Sequence, residues 1–197
     1  MNKIPKNEIF RKVIHILSSV MPLSYLWIIK EKEIMVSILI SLSLFAFSIE
    51  YLRNNKRSFS KLFNSLFGFM LRETESKGRL TGATWLLIGW SITVMLFEMP
   101  IAVAALLFLS IGDSIAALAG KLYPKGQIGD KTFSGTLFGF VISLILVLMV
   151  NQALLPMVIL LGAIAAMGIE LIPTKVNDNL TIPIFSGSVM MLMDRII

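Results

Sequence analysis

An acidic residue inside a hydrophobic segment and a basic, glycine-rich loop lie close together in the middle of this sequence. Asp113 follows Gly112 within an apolar run, and the loop of about residues 120–135 comes after that run. The loop contains residue types that bind phosphate, namely Lys121, Lys125, Lys131, Gly126 and Gly129. Glycines free backbone N–H groups, and a helix that begins near Thr132 favours anions at its N-terminus. The loop does not match GxxxxGK[ST], so a flexible basic loop is the alternative interpretation.

Four ionisable residues near the N-terminus follow helical spacing. Positions i, i+3, i+4 and i+7 are occupied by Glu8, Arg11, Lys12 and His15. A helix therefore places all four side chains on one face. Taken alone, a basic face that enters a membrane is better interpreted as a contact with lipid headgroups. A lone histidine is, by itself, better interpreted as a hydrogen-bonded core residue than as a catalyst.

Acidic residues also lie within the hydrophobic segments. Asp113 is about seven residues from the end of its segment, which corresponds to a depth of roughly 10 Å. Glu50 and Glu170 lie near the ends of theirs. Ionisable groups at membrane depth are costly and usually mark function, although a paired polar group can also hold helices together. A neighbouring helix can approach closely at the small residues Gly112, Ala116 and Gly120. Asp113 is therefore expected to face a helix rather than lipid.

Membrane-spanning helices must position these residues. The 197-residue chain is 56% hydrophobic and 15% charged, with a mean hydropathy of +0.82, which excludes an ordinary soluble domain. The absence of cysteine excludes disulfides and thiolate metal sites. Because a span needs about 20 apolar residues, the sequence predicts an all-α, polytopic helical membrane protein with one domain over residues 1–197. Seven spans are predicted, at about 12–29, 34–52, 83–98, 101–120, 133–150, 153–172 and 182–196. The amphipathic stretch of about 58–71 is predicted to lie as a helix at the interface.

The distribution of positive charge predicts the orientation of the chain. With the N-terminus in the cytoplasm, 15 of the 18 Lys and Arg residues fall on the cytoplasmic side, and only Lys30, Lys32 and Arg195 fall on the other. The positive-inside rule then predicts an N-in, C-out topology. The net charge of +6 is thus mainly a topological signal. Nucleic-acid binding is disfavoured because the sequence contains no recognizable reading module.

The polar residues described above belong to four blocks. They are E-x-x-R-K-x-x-H (Glu8, Arg11, Lys12, His15), R-E with T-G-A-T (Arg72, Glu73, Thr81 to Thr84), G-D-x-x-A with K-T-x-x-G (Gly112, Asp113, Ala116, Lys131, Thr132, Gly135), and E with D-N-L-T-I-P (Glu170, Asp178 to Pro183). Together they resemble the membrane-embedded CTP-dependent lipid-alcohol kinases, which include dolichol kinase, phytol kinase and CTP-dependent diacylglycerol kinase. The blocks stand in the family's order over about residues 8–187. All four fall on the side that the charge distribution assigns to the cytoplasm.

The resemblance implies a kinase that transfers a phosphoryl group from CTP to a lipid alcohol with Mg²⁺ as cofactor. In such an enzyme the loop of about 120–135 would hold the nucleotide. The implied catalytic residues are Asp113, His15, Asp178 and Glu170. Asp113 would bind Mg²⁺ together with Asp178 or Glu170, and His15 or a carboxylate would accept the hydroxyl proton. The implied nucleotide-binding residues are Lys131, Thr132, Gly135, Lys121, Arg72, Arg11, Lys12 and Asn179.

Two other functions remain open at this point. A cytidylyltransferase that makes a CDP-lipid from a phosphatidate-like acceptor would use the same nucleotide and a similar metal site. A small transporter would instead line a pathway with Asp113 and Glu170, but it should have polar residues along the whole bilayer depth, and the outer halves of the predicted spans are apolar apart from hydroxyls. The sequence does not show which lipid alcohol is the acceptor. The candidates are a long isoprenoid alcohol (dolichol or polyprenol), a shorter one (phytol or geranylgeraniol) and diacylglycerol. It gives no oligomeric state either.

Overall fold

The chain folds into a bundle of apolar helices. We describe it from a computed structural model that covers residues 4–173 and 176–197. The helices are α1 (Lys6–Leu17), α2 (Val20–Ser24), α3 (Lys32–Asn55), α4 (Arg57–Phe67), α5 (Glu73–Ser76), α6 (Gly82–Leu96), α7 (Met99–Leu107), α8 (Ser114–Leu122), α9 (Phe133–Val150), α10 (Pro156–Leu171) and α11 (Asp178–Ile196). Two π-helical segments, Tyr25–Ile29 and Phe108–Asp113, continue α2 and α7, and a 3₁₀ turn, Gly68–Met70, follows α4. The short strands β1 (Gln127–Ile128) and β2 (Lys131–Thr132) pair antiparallel.

Several helices are long enough to cross a bilayer. Within residues 4–173 and 176–197, four continuous helical stretches meet the length and hydropathy of a span: Lys6–Ile29, Lys32–Asn55, Met99–Leu122 and Phe133–Val150. Two shorter apolar helices, α6 and α10, accompany them. The prediction of a helical membrane protein is thus confirmed in this coarser form. The seven-span count and the N-in, C-out topology stay predictions, and Lys3 and Lys175, which the charge count assigned to the cytoplasm, lie outside the described residues.

One helix forms the centre of the bundle. Residues Ile101 to Leu109 of α7 and the π-helical segment after it are all buried, and the other apolar helices pack around them. At the end of the bundle where α7 continues into α8, neighbouring helices contact one another in the order α1, α8, α9, α10, α11, α6 and α3. These helices form an incomplete ring, because the principal partners of α1 are α8 and the segments beside it, whereas those of α3 are α6 and α4.

The tightest contact in this ring follows from small residues. A Cβ atom on Gly135 would collide with the Ala116 carbonyl oxygen and with the Gly120 backbone, so α8 and α9 approach almost backbone to backbone. Farther along the same contact, Gly139 meets the backbone of Gly112. The small face that the sequence predicted therefore packs on α9.

Several predicted boundaries differ from those in the structure. The stretch predicted as one interfacial helix at about 58–71 forms α4, which ends at Phe67, and then the 3₁₀ turn. The predicted nucleotide loop of about 120–135 is shorter than expected, because α8 runs to Leu122 and α9 starts at Phe133. Between these helices the chain forms the β1–β2 hairpin rather than an irregular loop.

Candidate active site

A large polar cavity opens at the end of the bundle where the ring is incomplete. Its volume is about 1630 Å³, which is ample for a nucleotide together with part of a lipid. Its walls include every residue that the sequence predicted for the site except Gly135: Lys12, His15, Asp113, Lys131, Thr132, Glu170, Asp178, Asn179, Lys121, Arg72 and Arg11. A second cavity at the opposite end, beside Glu98 and Asp194, measures about 240 Å³ and is too small for a nucleotide.

Asp113 lies at the base of this cavity and pairs with α1. Its Oδ2 atom accepts a hydrogen bond from Lys12 Nζ at 2.6 Å, and both side chains are largely buried. Asp113 is the last residue of the π-helical segment, which interrupts the regular hydrogen bonding of the long α7–α8 helix. Such segments often occur at functional sites. Asp178 or Glu170 as a second Mg²⁺ ligand beside Asp113 stays a prediction. In the structure Asp113 pairs with Lys12, and those two carboxylates pair with Lys131.

His15 lies beside this pair. Its Nε2 atom is 3.9 Å from Asp113 Oδ2, beyond hydrogen-bond distance. The same atom is buried and has no hydrogen-bond partner among residues 4–173 and 176–197. A buried imidazole nitrogen without a partner is unfavourable in a merely structural residue, because the group has lost its water without replacing it. The nitrogen is therefore available to a ligand in the cavity.

Lys131 joins the hairpin to two helices on the opposite wall. Its Nζ atom lies 3.0 Å from Glu170 Oε1 at the end of α10 and 2.8 Å from Asp178 Oδ2 at the start of α11. Thr136 donates to the other oxygen of Glu170 at 2.8 Å. Burial alone would lower the pKa of the Lys131 ammonium, but the charges of Asp178 and Glu170 outweigh it and raise that pKa above its usual range. Lys131 therefore remains a cation at any physiological pH.

The β1–β2 hairpin determines where Lys131 stands. Gly126 and Gly129 have φ values of 66° and 61°, a left-handed conformation that glycine adopts without strain. After the hairpin, Thr132 caps α9, because its hydroxyl accepts a hydrogen bond from Gly135 N at 3.1 Å. The sequence predicted that a helix begins near Thr132, and α9 begins at Phe133. Gly135 does not line the cavity, and its observed contact is with α8.

A buried glutamate that sequence reasoning missed organises the segment around Arg72. Glu75 Oε2 accepts from Arg72 N at 2.9 Å, and Glu75 Oε1 accepts from Gly82 N at 3.0 Å. One carboxylate thus ties the R-E block to the T-G-A-T block and sets the position of Arg72 at the cavity wall. The signal was present in the sequence, because a glutamate three positions after the residue that precedes a helix is the second half of a capping box, and Glu75 has this spacing from Arg72.

Glu50 has the structural role that the sequence left open. Arg53 pairs with its Oε2 atom at 2.7 Å, and its Oε1 atom accepts from Thr81 N and Thr84 Oγ1 at 2.8 and 2.9 Å. Asn179 supports the same region, since its Nδ2 atom donates to Gly82 O at 3.0 Å. These contacts join α3, α6 and α11 at the cavity wall.

The remaining predicted cations lie near α1. Arg11 Nη1 is 3.2 Å from Glu8 Oε2, and Lys121 Nζ is 3.7 Å from Glu8 Oε1. One glutamate therefore holds two of the predicted phosphate-binding side chains, and Arg72 also lines the cavity. The four positions of the predicted α1 stripe do share one face, and that face lines the cavity rather than lying on the outer surface.

The cavity does not contain a complete metal cage. Over the described ranges 4–173 and 176–197, no group of three or more His, Cys, Asp or Glu side chains is placed to hold an ion. Mg²⁺ is commonly held in nucleotide sites by one or two carboxylates and by substrate phosphates. Asp113 and Asp178 supply oxygen ligands of that kind, so the residues present fit a Mg²⁺ that binds together with a nucleotide.

Comparisons with known proteins agree with the resemblance over part of the chain. No protein-family model matches the sequence, and no solved structure matches it. The chain is 26% identical over 185 residues to an uncharacterised protein of Rickettsia prowazekii (strain Madrid E), with 88% of each chain covered. It is 33% identical over 99 residues to CTP-dependent diacylglycerol kinase 1 of Schizosaccharomyces pombe. That match covers 49% of this chain and 45% of the kinase, so it supports a likeness to a membrane lipid kinase over about half of each protein.

Proposed function

We propose that this protein is a membrane-embedded kinase that transfers the terminal phosphoryl group of a nucleoside triphosphate, CTP, to the hydroxyl of a lipid alcohol. The observation that carries the proposal is the single cavity into which α1, α8, the hairpin, α10 and α11 bring oppositely charged side chains. The partial match to a CTP-dependent diacylglycerol kinase supports the choice of donor and acceptor class. Within the predicted topology, the cavity opens to the cytoplasm.

The nucleotide would bind along the wall that carries the cations. Phosphoryl transfer depends chiefly on positioning and on neutralising charge. Lys131, Arg72 and Lys121 supply that charge, with Arg11 and Lys12 on the adjacent face of α1. The first N–H groups of α9 do not contribute, because those of Phe133, Ser134 and Gly135 already donate to Gly126 O, Lys125 O and Thr132 Oγ1.

Asp113 and Asp178 would hold Mg²⁺ against the phosphates, and the ion would supply further charge neutralisation when bound. To bind Mg²⁺, Asp113 must give up its ion pair with Lys12, and Asp178 must give up its ion pair with Lys131. Each lysine is then free to contact a phosphate oxygen. Lys131 would keep Glu170 as a partner, so no carboxylate of the cavity would be left without a counter-charge.

His15 would act as the general base. Its Nε2 atom accepts the proton of the lipid hydroxyl while the hydroxyl oxygen forms a bond to the terminal phosphorus. The bond between that phosphorus and the bridging oxygen breaks, and CDP leaves with the electron pair. The products are a lipid phosphate, CDP and the proton held by His15. The buried nitrogen without a hydrogen-bond partner supports this role.

The product identifies the reaction. Purified protein in phosphatidylcholine nanodiscs is incubated with Mg²⁺, with CTP labelled at either the α- or the γ-phosphate, and with either a panel of lipid alcohols or phosphatidate. Label from the γ position in the lipid product is expected. Label from the α position would instead identify a cytidylyltransferase, and no labelled lipid from any acceptor would contradict the proposed kinase.

Asp113→Asn tests the site within the same assay. The substitution keeps the shape of the side chain and removes its charge, so we expect loss of transfer in a protein that still extracts and folds. Asp194→Asn is the matched control, because Asp194 is exposed at the other end of the bundle. Full activity in Asp113→Asn would exclude Asp113 as a metal ligand.

A further inference from the structure

Among the described residues, the ring of helices around the cavity is open between α1 and α3. Each helix of the ring packs on the next in the order α1, α8, α9, α10, α11, α6 and α3. Within the described part of the chain, the main helix partner of α1 is α8, and that of α3 is α6. Both helices belong to stretches long enough to span a membrane. The opening is therefore directed at the bilayer, not only at water.

The lips of this opening are apolar. Ile14 on α1 lines the cavity and is half exposed, and Ala46 and Ile49 on α3 line it from the other side. The adjacent charges of α3 do not change this character, because Glu50 and Arg53 are buried and paired with each other. A chain of methylene groups can lie between these lips without leaving a polar group unsatisfied.

A strap formed by α4 and the 3₁₀ turn covers the outer end of the opening. Arg53 of α3 lies over the Phe63 ring of α4 at 5.5 Å, and Phe69 of the turn packs edge-on against Phe10 of α1 at 5.9 Å. The strap thus connects the two helices that border the opening. No residue of α4 is buried, and Phe63 and Phe67 line the cavity. This amphipathic helix has the character of an interfacial element that rests on lipid.

The geometry points to the α1–α3 opening as the binding site for the hydrocarbon part of the lipid acceptor, with its hydroxyl directed to His15. The inference rests on the proposed kinase function and deepens it. Ile14 and His15 are adjacent residues on α1, and both line the cavity, Ile14 at the opening and His15 with its unpartnered Nε2 atom inside. An alcohol whose chain lies beside Ile14 would therefore have its hydroxyl inside the cavity that His15 lines. The opposite wall, with Lys131 and Asp178, is left to the nucleotide.

Cysteine chemistry tests the site, since the native chain contains no cysteine. Ala46→Cys places a thiol at the lip, and Leu44→Cys is the matched control two residues away, where the native side chain is 63% exposed and does not line the cavity. Both variants are modified with a bulky methanethiosulfonate reagent in nanodiscs. At position 46 we expect the apparent KM for the lipid alcohol to rise about tenfold, because added volume in a packed site is poorly tolerated. CTP affinity should be unchanged, and reduction should restore the KM. The same reagent at position 44 should have no effect.

A labelling experiment gives a readout that does not depend on turnover. Diacylglycerol and polyprenol probes that carry a diazirine in the hydrocarbon are photolysed with the native protein, and the labelled peptides are identified by mass spectrometry. Labelling of α1 and α3 around Ile14, Ala46 and Ile49, competed by unlabelled lipid alcohol but not by phosphatidylcholine, supports the inference. Labels elsewhere, equal competition by phosphatidylcholine, or an unchanged KM after modification at position 46 would overturn it. If the native protein transfers no phosphate yet the probes label this opening, the proposed reaction fails and the binding site stands.

Discussion

Replacing Lys131 by methionine removes the cation that two carboxylates share. The Lys131 side chain is 17% exposed, that of Glu170 is 3% exposed and that of Asp178 is 32% exposed. Methionine keeps the apolar stem and removes only the charge. Glu170 then retains the Thr136 hydroxyl as its partner but has no counter-charge. Asp178 is partly solvated and loses less.

The cost follows from the burial of Glu170. Breaking a buried pair by removing one partner typically costs about 3–5 kcal/mol, because a charge remains without compensation. Removing both charges is far less costly, so the double variant Lys131→Met with Glu170→Gln should recover most of that stability. The exposed pair Lys77–Glu73 is the control, with an N–O distance of 2.6 Å and side chains 71% and 82% exposed. Lys77→Met should cost less than about 1 kcal/mol.

Two measurements separate stability from function. Equilibrium unfolding in mixed micelles gives the free energy of unfolding for each variant, and calorimetric titration gives the affinity for CTP with Mg²⁺. We expect the double variant to regain stability while CTP binding stays impaired, because Lys131 is the proposed phosphate ligand. If Lys131→Met costs no more than Lys77→Met, the reasoning about buried charge is wrong. If CTP binds the double variant as tightly as the native protein, Lys131 is not a phosphate ligand.

Three further predictions concern other parts of the molecule. Gly135→Ala should destabilise the protein by about 1–3 kcal/mol because its Cβ meets the α8 backbone, whereas Gly168→Ala, with open space around it, should be neutral or stabilising in the same unfolding assay. Glu75→Gln should raise the KM for CTP more than it lowers kcat, because the Arg72 segment loses its anchor, and an equal loss in both would contradict a positioning role. Single cysteines at Lys32 and Lys125 should react with impermeant maleimide from opposite sides of a sealed vesicle, and labelling from one side would refute the seven-span topology.

The helix positions could be predicted largely from the sequence because apolar runs and caps are local signals. The prediction of 133–150 coincides with α9, which Thr132 caps at its start. The last helix begins at Asp178 rather than near 182, because the Asn177 side chain accepts a hydrogen bond from Asn179 N at 3.0 Å and caps it earlier. The π-helical segment that ends at Asp113 could not be predicted, because it depends on how the buried α7 packs against its neighbours rather than on any local residue preference.

The composition of the site was predictable, but its charge pairing was not. Motif blocks and the α1 stripe indicated which residues gather at one end of the bundle. The choice of partner depends on tertiary distances: Lys12 and Asp113 are 101 residues apart in sequence. Spacing along the chain carries no information on such a pair. Glu75 was missed for a different reason. Its spacing is that of a capping residue, but spacing alone does not show that its carboxylate also accepts a hydrogen bond from Gly82 N beyond the following turn.

The charges that line the cavity compensate one another before any substrate binds, and this has a consequence for the proposed reaction. Lys12 occupies an oxygen of Asp113, and Lys131 holds Glu170 and Asp178. A triphosphate that takes these lysines as partners leaves the carboxylates without counter-charges in a poorly hydrated site, which is costly. The carboxylates regain a counter-charge only if a divalent cation enters with the nucleotide. In the proposed kinase, the ion pairs of the empty cavity would therefore make the binding of the donor and of Mg²⁺ interdependent, because they would disfavour either one alone.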